Sequence, residues 1–238
     1  MTGRSKFLAI YVVIAFVTKV IGEIVHEVAG HGLFILLFGG QITSVHISLL
    51  WPYELSHIGW SGSFMRWQHS WIAGGGILVS IIVSGALQAL LLFNVIKDWR
   101  SSTPLLWLAF WTFLNPTGYL IIGGVRPFGD VASLIAAGVL TQELSLLVGL
   151  ILFVASFLSL SKLLITQLSI TNVIESVDGL RLSLALFWAI IPVITMVTCL
   201  GMRLQILYFQ VFSVLSLVPP LLAMLVPNFL RSNNILAS

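Results

Sequence analysis

Charge is scarce in this chain. Only 8% of its 238 residues are Asp, Glu, Lys or Arg, where a soluble domain carries about 25%. The net charge of +3 is too small and too scattered to serve a nucleic-acid partner. Cysteine is nearly absent. The single Cys199 excludes an internal disulfide and any cysteine-based zinc site. Tandem repeats and low-complexity tracts are missing as well. Apolar residues fill the space instead: they make up 58% of the chain, and the mean hydropathy is +1.08. No soluble fold of this length hides so much apolar side chain. The expected class is an all-α polytopic membrane protein: integral, multi-pass, with the lipid bilayer as its surroundings.

A helix crosses the hydrocarbon with about 20 apolar residues. Segments 7–38, 71–96, 105–122, 144–160, 182–200 and 205–230 meet that need, giving about six transmembrane helices. Arg4 and Lys6 before the first run imitate a signal peptide, but the run is too long for one and is expected to be retained. Gly39-Gly40 ends it. Residues 41–48 then alternate polar and apolar, a strand signal. Trp51-Pro52 and the stretch 59–63 are turn-like, so a short membrane-associated β element is expected after the first helix. Ala73-Gly74-Gly75-Gly76 opens the second span with residues small enough for close helix contact. Asn115-Pro116 is expected to kink or break the third span. Lysine and arginine counts favour both termini inside.

Against this background His26-Glu27-Val28-Ala29-Gly30-His31 stands out, because ionisable residues in an apolar span are costly and usually have a task. Neutral imidazoles bind zinc well, and a neighbouring carboxylate can take a proton from water. The familiar His-Glu-x-x-His places both rings one turn apart. Here the spacing is one residue longer, which on an ideal α-helix separates the rings by about 140°, against about 40° for a four-residue step. A π-bulge over Val28–Gly30 would return them to one face. Two histidines leave a zinc site one protein ligand short. Asp130, at the start of an apolar helix after a glycine-containing loop, is the best candidate. Glu23, about one turn before His26, is a candidate to orient an imidazole. Lys19 either snorkels or pairs with Glu23. His46, His57 and His69 read as surface or loop histidines.

In the order of these features the chain resembles the site-2 protease family of intramembrane zinc metalloproteases. His26–His31 is similar to that family's His-Glu-x-Gly-His helix with one residue added. The stretch 38–47 is similar to its membrane-associated β element, and Ala73–Gly76 to the Ala-Gly-Pro start of its next helix. Asn115 and Asp130 resemble its Asn…Pro…Leu-Asp-Gly motif, although here glycine precedes the aspartate. The resemblance covers residues 1–145, a metalloprotease-like core; residues 146–238 would be additional transmembrane helices. It implies the orientation opposite to the charge count, and orientation stays open between the two.

The expected function is hydrolysis of a peptide bond in or near a transmembrane segment of a protein or peptide substrate. Zn²⁺ would be held by His26, His31 and Asp130, with Glu27 as general base. The resemblance implies Asn115 as a substrate contact. A non-hydrolytic metal-binding membrane protein, either a transporter or a degenerate protease acting as a chaperone, is the other class this sequence admits.

Overall fold

The computed structural model describes residues 3–48, 56–93, 96, 98–170, 178–189, 217–218 and 221–222. The first apolar segment is helical throughout but changes its winding. Helix α1 (Gly3–Ile24) passes into a π-helical turn (Val25–His31) and then into α2 (Gly32–Leu37). The expected bulge is therefore present and is wider than one residue. Gly39, at φ 81°, reverses the chain, a conformation glycine adopts without steric cost.

Strand β1 (Gln41–His46) then pairs antiparallel with β2 (His57–Ser61), Gln41 opposite Ser61 and His46 opposite His57, with an irregularity between Ile42 and Ser44. The β element is thus a hairpin. Gly59–Ser61, expected as a turn, belong to its second strand. It lies back along the helix it follows. Ile42 and Ile58 approach Gly32, and Lys19 Nζ donates to the Ser48 carbonyl at 3.0 Å. The lengths agree: about 27 Å of helix from Leu37 back to Lys19 runs beside about 26 Å of extended chain from Gly40 to Ser48.

Helix α3 (Arg66–Leu92), α4 (Trp99–Val125), the short α5 (Gly129–Ala136) and α6 (Gln142–Ile170) follow. Of the kink or break expected at Asn115-Pro116, the break is not found: α4 runs through both Pro104 and Pro116. Helix α4 packs against α1, α3 and α6 along this course. Helix α6 is also longer than the expected span at 144–160, running from Gln142 to Ile170.

Among the described residues three helices are long and apolar enough to cross a membrane: Arg66–Leu92, Trp99–Val125 and the Gln142–Leu168 part of α6. The expected six are therefore not all present here. The first segment is divided by its π turn. Of the fifth, only residues up to 189 are described, and they are helical; the sixth lies almost wholly outside the described residues. The helices carry apolar outer faces, with Val13, Ile82, Ile151 and Val154 all more than half exposed. Isolated apolar surface residues are ordinary, but whole faces of them mark contact with something other than water.

Two apolar clusters set the frame. One gathers Tyr11, Trp107, Phe110, Leu164, Phe187 and Trp188 at the α1–α4–α6 side. The other, of Ala73, Ile77, Leu120, Val131 and Leu134, lies under α5.

Candidate metal centre

The π turn answers the spacing problem. Its hydrogen bonds join residues five apart, which is the step from His26 to His31. The two rings come together edge to face with centroids 5.0 Å apart. Both are buried, at 1% and 6% exposure. Their Nε2 atoms converge on one carboxylate oxygen: Asp130 Oδ2 lies 3.1 Å from His26 and 3.3 Å from His31. His26, His31 and Asp130 form a group able to hold a metal ion, with ligand atoms all within 4.8 Å of one another. Glu27 stands beside this group, its Oε2 4.0 Å from His31 Nε2, and is itself buried.

The polarity of the contacts favours a cation at their centre. His31 Nδ1 is 2.6 Å from the Ile72 carbonyl. A carbonyl accepts only, so Nδ1 carries the hydrogen and donates it. In the neutral ring Nε2 is then a lone pair, and it faces a carboxylate oxygen, also an acceptor. His26 Nε2 meets the same Asp130 oxygen, and its Nδ1 is 3.4 Å from Ser80 Oγ, a hydroxyl that can donate or accept. A proton satisfies one of these two contacts; one cation among the three groups satisfies both.

Helix α3 supplies the other half of the site from a single stripe. Ile72, Gly76 and Ser80 recur every four residues, so they share a face. Ile72 holds His31, Ser80 holds His26, and Gly76 lies between. A Cβ on Gly76 would come within 2.6 Å of His26 Nε2 and 2.7 Å of His31 Nε2. One on Gly30 would meet Gly76 Cα at 2.5 Å. The small residues at the start of α3 therefore permit a backbone contact on which the site depends. Asp130 is delivered by α5. Arg66 Nη2 donates to the Ala136 carbonyl at the end of that helix at 2.9 Å. Val131, fully buried, seats on Gly123 of α4.

A cavity of about 330 Å³ opens over the cluster, lined among others by Glu27, His57, Trp60, His69, Tyr119 and Asp130. His57 and His69, which the sequence suggested as surface or loop residues, thus border the site. Asn115 is not among the residues that line it; Tyr119, one turn further along α4, is. Glu23 is engaged with Lys19, at 3.5 Å, so the imidazoles take Ser80 and the Ile72 carbonyl as partners instead. Tyr119, Ser80 and the Ile72 carbonyl were missed from sequence. The four-residue step from Gly76 to Ser80 was the available signal; a backbone carbonyl leaves none.

Two substitutions test this support. Ser80→Ala removes the partner of His26 Nδ1 and should weaken metal binding about 10- to 100-fold, read by competition with a chromophoric chelator. Gly123→Ala would set a Cβ 2.6 Å from the Val131 Cβ. It should displace α5 and lower metal occupancy, and the double exchange Gly123→Ala with Val131→Gly should recover much of it.

No protein-family model, no curated protein and no solved structure matches this chain.

Proposed function

We propose that this chain is an intramembrane zinc metalloprotease that hydrolyses a peptide bond in or near a transmembrane segment of its substrate. The observation that carries the reading is the convergence of two imidazoles and a remote carboxylate beside a fourth acid, Glu27, at the buried edge of a polar cavity. The spacing supports zinc. Ligand atoms about 2.0–2.1 Å from a tetrahedral ion lie about 3.3–3.4 Å apart, close to the 3.1 and 3.3 Å between each imidazole and Asp130. The set is also one ligand short of four, as in catalytic sites that keep a position open.

Zinc bound there would polarise the scissile carbonyl and acidify the attacking water. The chain's own groups do the rest. Glu27 takes the proton from water and returns it to the leaving amine nitrogen. Its burial keeps bulk water from competing for that proton. The hairpin offers a strand edge to an unwound substrate, since β2 contributes Ile58 and Trp60 to the cavity wall. Strand addition suits the chemistry because a helix hides its peptide bonds. The apolar outer faces of the helices are consistent with a bilayer around the site.

The test is elemental analysis of the purified full chain together with cleavage of a pool of transmembrane peptides in detergent micelles, read by mass spectrometry. One zinc per chain and cleavage abolished by a chelator support the reading. A protein that holds the metal and cleaves nothing belongs instead to the non-hydrolytic class.

A further inference from the structure

We propose that the Tyr119 hydroxyl donates the hydrogen bond that stabilises the oxyanion formed when the substrate carbonyl is attacked; this rests on the hydrolase reading above. The Tyr119 ring packs against two flat partners. It stacks on His26 with centroids 5.4 Å apart and planes at 13°, and on Phe128 at 5.2 Å and 16°. A ring held by two stacks has the position of its hydroxyl oxygen set before any substrate arrives, which is what an oxyanion donor requires. Its far end lies beside the third ligand. A Cβ on Gly129, the residue before Asp130, would meet Tyr119 Cε1 at 3.3 Å, and Cε1 is bonded to the carbon that carries the hydroxyl. The phenol borders the same cavity as Glu27, His31 and Asp130.

The other polar groups packed on the ligands are committed. The Ile72 carbonyl takes the His31 Nδ1 hydrogen, and the Ser80 hydroxyl is engaged with His26. Asp130 and an ionised Glu27 only accept. The Tyr119 hydroxyl makes no hydrogen bond among the described residues. It is a donor beside the cluster that is still available among the described residues.

The step balances without further reagents. The water oxygen bonds to the carbonyl carbon and loses a proton to Glu27, while the carbonyl π pair moves onto oxygen. Tyr119 donates to that oxygen and keeps its own proton. The pair then returns, the C–N bond breaks, and the nitrogen takes the proton from Glu27.

Tyr119→Phe keeps both stacks and removes only the hydroxyl. In the full chain it should lower kcat for the transmembrane-peptide pool about 10²–10³-fold, with KM and metal content unchanged. A second readout does not need turnover. In cobalt-substituted protein the variant should keep the wild-type visible spectrum, which reports ligand geometry. Its affinity for a phosphinic peptide, a tetrahedral oxyanion mimic, should fall by the same factor. Unchanged kcat and unchanged phosphinic-peptide affinity would overturn the assignment and leave the hydrolase reading standing. A shifted cobalt spectrum with lost metal would overturn it too, making Tyr119 a support for His26. A wild-type protein that neither cleaves the pool nor binds the phosphinic peptide removes the hydrolase reading, and this assignment with it.

Discussion

Glu27→Gln should leave one metal per chain in place and reduce peptide hydrolysis by about 10²–10⁴-fold, the range over which a positioned general base acts. The expectation follows from where the carboxylate stands. Its Oε2 is 4.0 Å from His31 Nε2, near the ligand cluster and not part of it, and the residue is buried. Glutamine matches glutamate in size and still offers an oxygen, so the packing around the π turn is preserved. It cannot hold the proton that must travel from water to the amine. Metal analysis and cleavage on the same preparation separate the two effects. Metal retained with full activity would remove Glu27 from the chemistry. Metal lost with activity would make it a ligand or a structural support.

The second large effect is expected where no polar atom is involved. Gly76→Ala adds one methyl group, and it has nowhere to go. The new carbon would lie 2.6 Å from His26 Nε2 and 2.7 Å from His31 Nε2, in the space that a shared cation needs. The opposing wall is the backbone of the π turn, which already meets Gly76 through Gly30. Relief requires α3 and the π turn to separate, which withdraws the Ile72 carbonyl and Ser80 from the imidazoles. Metal occupancy should fall by at least about 100-fold, since the loss of one such partner alone costs about 10- to 100-fold. Gly85→Ala on the same helix is the control. A Cβ there meets nothing within 4 Å, and binding should be unaffected. A Gly76→Ala protein with full metal content would show that the helices part easily.

Both effects bear on how much could be read from the sequence. The motif was legible because an apolar segment makes every ionisable residue conspicuous. His26, Glu27 and His31 stood out for that reason, and the five-residue spacing required a change of winding that the backbone adopts. Asp130 was legible by scarcity, since the chain has only eight acidic residues. Asn115 lies one turn before Tyr119 on α4 and is not among the residues that line the cavity. Tyr119, which borders the cavity, reads in sequence as one more aromatic residue in an apolar run. Pro116 does not break its helix, and α4 is packed against neighbours on several sides. His57 borders the site only because the hairpin folds back along the helix. That reversal is a tertiary contact through Lys19 and Gly32, and no local pattern encodes it.

The π turn has a mechanical corollary. The buried stripe of the first segment runs through Tyr11, Ala15, Thr18, Gly22, His26, His31 and Ile35, steps of four or three except for the single five. The surplus amino acid is absorbed as slack in one coil, and the phase of the rod is the same above and below it. Were that coil to tighten to ordinary winding, everything after it would swing by about 100°. Ile35 would leave its seat, and the hairpin tethered beyond Gly39 would be carried round with it. The grip on the cation and the placement of the strand edge are therefore two ends of one crank.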